Sequence, residues 1–491
     1  MSAPLAVSAI KTNRTNIIGE GLRLKSQVDA DFLGLTPEQA SVWQRTAERE
    51  FKLWAGSKFC DSTRTCNFYE IQQVACMSWL MNGDACILLE YEKPSRNFPY
   101  GLRIHLVESD RVSTPHTTGN NVYLYATNPD NGNRIFNGVE VDKNNRVVAY
   151  HICNTYPNSN LYAKKEWKRV KAFGDRTGAP GVLMIYETER AEQYRGVPYL
   201  APVIESLKQL TRYSEAEMMA ALINGIFTAF VTSDKGTSEL GFTGIVDEDS
   251  RVSDDDADYE LGNGLVQMLA PGEKIEIADA KRPAQNFDAF VASLAKYIGA
   301  ALEVPAEVLM KSFMSSYSAS RAALLEAWKA FRMKRAWIAA DFCQPVYELF
   351  LSEAIAKGRL HAPGFFLDPL IHAAYCGAQW NGPSQGMVDP VKEVSAAEKR
   401  IQIGISTRQR ETTELLGGDF ERNVAQLARE KQIMKDAGLL PGAAPSGESD
   451  AGGEKIKESE EETDAEGAGK GGEDESDGGA GGEDAAESGG E

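Results

Sequence analysis

Residues 312–337 read SFMSSYSASRAALLEAWKAFRMKRAW, a run of serines and single aromatic residues followed directly by a long helix-forming stretch. Leu324, Trp328 and Phe331 recur at helical spacing, which predicts a helix from about Ala319 with an apolar stripe on one side. At about 1.5 Å per residue this helix is expected to run for some 36 Å. Pro345 is then expected to kink or break it.

The serines in front of this helix have two functional interpretations and one structural one. A serine nucleophile with Lys311 as its base would make the loop an active site. A flexible polar loop that the helix presents to a partner would make it a contact surface. The structural alternative is that Ser318 or Ser320 is the N-cap of the helix, because a serine hydroxyl accepts hydrogen bonds from the free amides of a first turn.

Two further helices are predicted near the N-terminus. Residues 36–55 begin with TPEQ and residues 67–82 begin with NFYE, and a glycine follows each stretch. Both openings place a Thr or Asn three positions ahead of a Gln or Glu, which is the pattern of a capping box. Glycine after the last apolar residue is a common helix end.

Between residues 84 and 187 the apolar period changes from about 3.6 to 2, which predicts strands. The expected strands are ACILLEYE, GLRIHLVES, GVEVD, RVVAYHI and VLMIYE, with a hairpin turn at Lys143 to Asn145. The first 190 residues or so are therefore expected to form an α+β unit.

A long helix is predicted at about residues 202–224, and a second at about 286–303 that Pro305 stops. Between them, residues 226–284 are expected to form short strands and turns. They include the acidic stretch DEDSRVSDDDADYE, whose charge indicates an exposed surface.

Charge is concentrated at the C-terminus. Residues 441–491 contain 17 Asp or Glu and 3 Lys, a net charge of −14, which leaves −5 of the total −19 for residues 1–440. The same segment has one Ile and no aromatic residue, so a disordered tail is expected. Such a tail is either a solubilising segment or a decoy for a basic partner.

Other kinds of site find little support. The seven cysteines are odd in number and unpatterned, as in reduced core residues. His361, His372 and Cys376 are conceivable metal ligands, but no second close pair completes a zinc site. The longest apolar stretch is too short to span a bilayer, and residues 1–16 lack the pattern of a signal peptide.

The order of segments resembles that of the lambda-type portal proteins of tailed bacteriophages, the head-tail connectors. The residues that carry the resemblance are GEGLRLKSQVD, YGLRIHLVESDRV, GVEVDKNNRVVAYHI, RGVPYLAPVIESLKQLTRYSEAEMMAAL, LAPGEKIEIADAKRPAQNFDAFVASLAKYIGAALEVPAEVL, SYSASRAALLEAWKAFRMKR and DPVKEVSAAEKRIQIGISTRQRE. Family members usually carry several tens of residues ahead of the point that corresponds to NIIGEGLRLKSQ, so an N-terminal arm is expected to be missing.

The resemblance implies a portal-type α+β fold in eight parts. These are an N-terminal wing (1–200), a stem helix (201–225), a clip (226–284), a second stem helix (285–305), a tunnel loop (306–320), a long helix with the rest of the wing (321–395), a helical crown (396–440) and the acidic tail (441–491).

It also implies a structural protein with no cofactor, located in the virion at the portal vertex and in the host cytoplasm during assembly. The implied partners are further copies in a ring, typically of twelve, and double-stranded DNA bound without sequence preference. They also include the terminase large subunit, the major capsid protein and scaffold, and head-completion or tail connector proteins. A membrane is not among them.

Two groups of residues are assigned by the same resemblance. The tunnel loop and its flanks comprise Lys311, Ser312, Phe313, Met314, Ser315, Ser316, Tyr317, Ser318 and Arg321. The clip residues expected to contact a partner are Asp247, Glu248, Asp249, Asp254, Asp255 and Asp256. A channel that moves DNA needs weak contacts that ignore base sequence, which small hydroxyls and a few phosphate-directed charges supply. A serine hydrolase and a helical scaffold that binds other proteins are the competing hypotheses.

Overall fold

The computed structural model describes residues 3–115, 125–157, 164–225, 229–233, 273–277, 287–313, 316–387 and 389–439. Contacts divide the chain into two units, Met1–Ala425 and Gln426–Glu491. The expected acidic clip residues and the acidic tail lie outside the described residues. The described part of the second unit is a short helical stretch.

The N-terminal part is mostly helical. Its elements are α1 (Pro4–Ile17), β1 (Arg23–Ser26), α2 (Ala30–Leu33), α3 (Pro37–Ala55) and α4 (Phe68–Asn82). Both predicted capping boxes are confirmed, at Thr36 with Gln39 and at Asn67 with Glu70. Helix α1, which begins at a proline in its first turn, was not predicted.

Two antiparallel sheets follow. The first has the order β3-β2-β9 and consists of β2 (Asp84–Tyr91), β3 (Leu102–Val107) and β9 (Val182–Tyr186). The second has the order β4-β5-β6-β7-β8 and consists of β4 (Tyr125–Thr127), β5 (Arg134–Phe136), β6 (Val139–Val141), β7 (Val147–Cys153) and β8 (Trp167–Lys171). The predicted strands and the hairpin turn between β6 and β7 are confirmed, whereas β4, β5 and β8 were not predicted.

The two predicted stem helices are α5 (Ile204–Gly225) and α6 (Phe287–Ala301). Between them, β10 (Ala229–Ser233) and β11 (Glu273–Ile277) pair in antiparallel fashion. The expected stop of α6 at Pro305 is wrong. The helix ends earlier because Glu303 takes a left-handed conformation with φ 55°, and the amide of Val304 donates to the carbonyl of Gly299 at 2.9 Å.

The long helix behind the serine loop is interrupted where a break was predicted. Helix α7 (Ala306–Met310) precedes the loop and α8 (Tyr317–Ile338) follows it. Residues Ala339–Cys343 then form a π-helical turn that leads directly into α9 (Gln344–Ala356). Pro345 therefore lies in the first turn of α9, where a missing amide hydrogen removes no helical hydrogen bond.

The remaining elements of the first unit are α10 (Pro369–Cys376), β12 (Ala378–Asn381), α11 (Pro390–Gln402) and α12 (Arg408–Leu416). A last helix, α13 (Phe420–Asp436), begins in the first unit. Strand β12 pairs with β1, some 350 residues away in the chain. The expected boundary between wing and crown at residue 395 falls inside α11.

The main hydrophobic core joins the N-terminal helices to α8 and α9. Phe51 of α3 lies at its centre and makes edge-to-face ring contacts with Phe68, Tyr347 and Phe350 at centroid distances of 5.2 to 5.6 Å. All seven cysteines are free, and six are buried, as expected of reduced core residues. Among the described residues, no helix combines the length and hydrophobicity needed to cross a membrane.

Candidate functional site

The loop between α7 and α8 leaves α7 through a left-handed residue. Lys311 has φ 54°, and the amide of Ser312 donates to the carbonyl of Glu307 at 3.0 Å. This pair of features ends the helix and reverses the chain. The loop therefore starts from a fixed position on α7 and does not continue its axis.

A serine side chain closes the other end of the loop. The hydroxyl of Ser316 accepts a hydrogen bond from the amide of Ala319, so Ser316 is the N-cap and α8 begins at Tyr317. The prediction of Ser318 or Ser320 as the cap is therefore wrong by two or more residues. The reason is that serines occur at several successive positions, and each satisfies the same sequence preference.

The described loop residues are exposed. Phe313 and Tyr317 are 51% and 53% exposed, and Lys311, Ser312, Ser316 and Ser318 are exposed as well. Met314 and Ser315 lie outside the described residues. Two large aromatic side chains are thus half in solvent near the two ends of this polar loop.

The two cations of the loop region differ in their surroundings. The Arg321 guanidinium lies 3.0 Å from a carboxylate oxygen of Glu393 in α11, and it donates to the Tyr317 hydroxyl at 3.3 Å. The hydrogen bond to Tyr317 and the Glu393 charge raise the pKa of Arg321 above its ordinary value. Lys311 has no ion-pair partner among the described residues, so its charge is the more available to an anion.

Helix α8 is held along its C-terminal half by the core. Trp328, Phe331 and Ile338 are buried, which confirms most of the predicted apolar stripe. The Arg335 guanidinium donates to the carbonyls of Asn16, Ile17 and Pro383 at 2.8 to 3.0 Å. Burial lowers the pKa of Arg335 to about 10. The loop therefore precedes a helix whose C-terminal half is fixed by the core.

The segment that precedes α5 is fixed to both sheets by one arginine, Arg195. Arg195 forms a bidentate ion pair with Asp84 and donates to the carbonyls of Ser109, Val112 and Asn137. All of its donor nitrogens are thus used. Sequence reasoning missed this contact, since its partners lie 58 to 111 residues away.

A close approach of two glycines makes the Arg195 contact possible. A Cβ at position 196 would lie 1.8 Å from the carbonyl oxygen of Gly83, where Gly83 itself has φ 95°. No side chain fits in that space. Residues 195–198, RGVP, belong to the stretches that carry the family resemblance, but their role in packing could not be predicted from the sequence.

The two stem helices pack through aromatic rings. Tyr213 of α5 lies 5.6 Å from Phe287 and 4.5 Å from Phe290 of α6, measured between ring centroids. Large apolar side chains on the same helices are exposed, among them Met218 at 62% and Tyr297 at 67%. A helix pair that leaves such side chains in solvent is typical of a surface that a further partner covers.

The structure assembles no nucleophile at the serine loop within the residues it describes. The hydroxyls of Ser316 and Ser318 lie 3.3 Å apart and contact each other. Neither of them, nor Ser312, has a histidine or lysine hydrogen-bond partner in the described ranges. The four described histidines lie elsewhere, at His105, His151, His361 and His372. The geometry therefore gives the hydrolase hypothesis no support.

The conceivable metal ligands His372 and Cys376 are neighbours on α10. The Cys376 sulfur lies 3.7 Å from Nδ1 of His372, and the Phe365 ring packs against the imidazole with centroids 4.4 Å apart. No group of three or more His, Cys, Asp or Glu side chains with metal-binding geometry occurs in the part of the chain that the structure describes. The proximity of His372 and Cys376 is therefore explained by their packing on α10 against Phe365.

A model of the family described as "Phage portal protein, lambda family" matches residues 1–335. The portal protein of Escherichia phage N15 is 24% identical over 476 residues, which cover 93% of this chain and 87% of the N15 protein. Portal protein B of Escherichia phage lambda is 24% identical over 456 residues, which cover 89% of this chain and 83% of the lambda protein.

A solved chain from the virion of a native gene transfer agent particle is 13% identical, with a TM-score of 0.41, and the match covers 83% of this chain and 88% of that one. It is the family model, which covers well over half of the sequence, that decides the assignment: this chain belongs to the lambda family of phage portal proteins.

Proposed function

We propose that the chain assembles with copies of itself into a ring, of twelve subunits by resemblance to the family, at one vertex of the capsid. In this proposal double-stranded DNA passes through the centre of the ring during packaging and ejection. Portal proteins are structural components of the virion, and that membership supports the proposal.

The exposed stem supports assembly into a ring. Met218 and Leu222 of α5 are 62% and 60% exposed, and Tyr297 of α6 is 67% exposed. A single copy leaves these side chains in water, whereas neighbouring copies around a ring would cover them. Burial of apolar surface is worth about 25 cal/mol per Å², so repeated stem contacts would stabilise the assembly.

The loop at residues 311–316 carries the proposal of a DNA channel. Phe313 in its described part and Tyr317 at the start of α8 are exposed, and Lys311 has no ion pair within the described residues. A ring of such loops would touch the duplex through weak contacts to phosphates and sugars that carry no base information. DNA could then move through without being held at one sequence.

The partners follow from the same proposal. The clip, residues 226–284, would face the terminase large subunit during packaging and head-completion or tail connector proteins afterwards. The wing would contact the major capsid protein and scaffold. Asp247, Glu248, Asp249, Asp254, Asp255 and Asp256 would present an acidic surface to the partners of the clip.

Packaging by procapsids that contain variant rings tests the channel. Phe313→Ala with Tyr317→Ala should leave ring yield unchanged, because exposed side chains typically change stability by less than about 0.5 kcal/mol. The DNA packaged per procapsid should fall. Phe173→Ala with Tyr125→Ala is the matched control, since these rings are 58% and 54% exposed and lie away from the loop.

Charge and clip variants complete the experiment. Lys311→Glu should reduce packaging more than Arg321→Glu, because Arg321 is already paired, and both effects should grow at low salt.

Shortening residues 247–259 should spare ring formation and weaken terminase docking. Normal packaging by the Phe313/Tyr317 variant would contradict the assignment of this loop to the channel. Loss of packaging by Ser318→Ala alone would favour the hydrolase instead, whereas Ser316→Ala also removes the cap of α8.

A further inference from the structure

Helix α8 carries a charged residue in the core, at Lys334. Its side chain is 2% exposed, and its ammonium nitrogen lies 4.7 Å from the centroid of the Tyr199 ring. The same nitrogen lies 3.4 Å from a carboxylate oxygen of Glu303. A buried ammonium costs free energy unless partners compensate for its lost hydration, and here an aromatic face and a carboxylate do so.

Tyr199 connects Lys334 to the ends of both stem helices. It precedes α5, and its hydroxyl donates to the carbonyl of Leu302, which follows α6. The side-chain amide of Asn13 in α1 donates to the same hydroxyl at 3.2 Å. Lys334 therefore contacts the point at which the two stem helices meet the body of the protein.

Glu303 occupies a backbone position that favours glycine. It has φ 55° at the end of α6, in a motif whose left-handed residue is usually Gly. Its carboxylate is 57% exposed and is the ion-pair partner of the buried Lys334 ammonium. Glu303 therefore ends α6 and also supplies the anionic partner of a buried charge on α8.

We propose that Lys334 and Glu303 are positioning residues, which hold α8 against the ends of α5 and α6 and thereby set where the 311–316 loop lies. Lys334 is 17 residues beyond Tyr317, so about 26 Å of helix separates this contact from the loop. A small rotation of α8 at Lys334 displaces the loop by a larger distance. This inference rests on the proposed function, in which the loop lines the channel.

Two variants remove the contact in different ways. Lys334→Met keeps roughly the length of the side chain and replaces its charged end by an apolar one. Exchange of a buried charge for an apolar residue is often neutral or stabilising. Glu303→Gly removes the carboxylate and relieves the left-handed strain. Glu192→Gly is the matched control, because Glu192 also has a positive φ, of 58°, and lies outside the cluster. Lys334→Arg keeps the charge.

The readouts are melting temperature, ring yield, loop density in cryo-EM maps of the rings, and DNA packaged per procapsid. We expect both variants to form rings with a displaced or smeared loop. The melting temperature should be unchanged in Lys334→Met and lower in Glu303→Gly, which leaves the buried Lys334 ammonium without a carboxylate. Their packaging should fall several-fold. Glu192→Gly should package normally. Lys334→Arg, which keeps the charge, should package far more DNA than Lys334→Met.

The outcomes separate this inference from the proposed function. If both variants package normally with an ordered loop, while Phe313→Ala with Tyr317→Ala packages poorly, the positioning role is overturned and the channel remains. If Lys334→Met fails to form rings but Glu303→Gly forms rings that package normally, Lys334 serves the fold alone. Normal packaging by the loop variant itself would overturn the proposed function.

Discussion

Glu140 in β6 is the side chain with the densest set of polar contacts on the second sheet. It is fully buried and accepts hydrogen bonds from Asn128, Asn131, Asn133, His151 and Arg169 at 2.7 to 3.0 Å. Burial would raise the pKa of Glu140, but the Arg169 pair and the amide donors hold it far below its ordinary value. The carboxylate orders the turn between β4 and β5.

Stability should therefore depend on the ionisation of Glu140. Because its folded pKa lies below its unfolded value, the charged form stabilises the protein above pH of about 4.5, and this contribution is lost as the pH falls further. Burial also lowers the pKa of His151, which adds a loss in the same direction as the pH falls below about 6.5. Arg169 keeps its charge throughout this range.

Glu140→Gln should lower the free energy of unfolding at pH 7 by about 3 kcal/mol, because it leaves the Arg169 charge without its buried partner. It should also flatten the decrease in stability below pH of about 4.5. Thermal unfolding followed by circular dichroism from pH 3 to pH 8 measures both effects. Glu166→Gln is the control, since the Glu166 carboxylate is 62% exposed in its pair with Lys164. An equal effect of the two changes would contradict the prediction.

Sequence reasoning succeeded with residues whose partners are near in the chain. The capping pairs of α3 and α4 lie three residues apart, and both were predicted. The partners of Glu140 come from a turn and two other strands, and those of Arg195 lie up to 111 residues away. Which donors surround a buried charge depends on the fold, so no local pattern indicates it.

At the scale of elements, the cap of α8 has a measurable local effect. Ser316→Ala removes the acceptor for the Ala319 amide, which should cost about 0.5 to 1 kcal/mol in the first turn. Hydrogen exchange of the amides at 319 and 320 should therefore become faster, with the core of α8 unchanged. Ser318→Ala is the control, because its hydroxyl contacts Ser316 and caps no amide among the contacts described. Unchanged exchange in Ser316→Ala would place the cap elsewhere.

Most of the long periodic elements were predictable, whereas several of the short ones were not. Helices α3, α4, α5, α6 and α8 each run for 15 to 22 residues, which is long enough for an apolar period to show. Strands β1 and β12 have four residues each and pair across most of the chain. A strand of four residues shows two alternations at most, which many loops also contain.

For the whole molecule, the charge and the apolar surface lie in different parts of the chain. Residues 1–440 carry −5, while residues 441–491 carry −14. Exposed apolar side chains occur in residues 1–440 instead, among them Met218, Leu222 and Tyr297 on the predicted stem helices and Leu367 and Val391 elsewhere. Apolar burial drives association, whereas like charges repel. Contacts between copies are therefore expected at such apolar side chains and not through the acidic segment.

A chain stopped after Leu440 should keep its melting temperature and form rings as the full chain does. Residues 441–491 contain one Ile and no aromatic residue, so they can bury little apolar surface. A chain stopped after Gly418 is the contrasting variant, because it also loses Asp419, whose carboxylate lies 2.8 Å from the ammonium of the largely buried Lys25.

The shorter chain should lose about 2 kcal/mol of stability, since Lys25 keeps Glu48 at 3.8 Å but loses its closest partner. Differential scanning calorimetry and negative-stain imaging of both chains, at equal concentration, give the stability and the fraction in rings. Rings that disappear on truncation at 440 would mean that the acidic segment takes part in assembly. In that case the full chain at high salt, where the charge of the acidic segment is screened, distinguishes the two causes. Rings that persist indicate a lost contact, and rings that disappear indicate a lost charge effect.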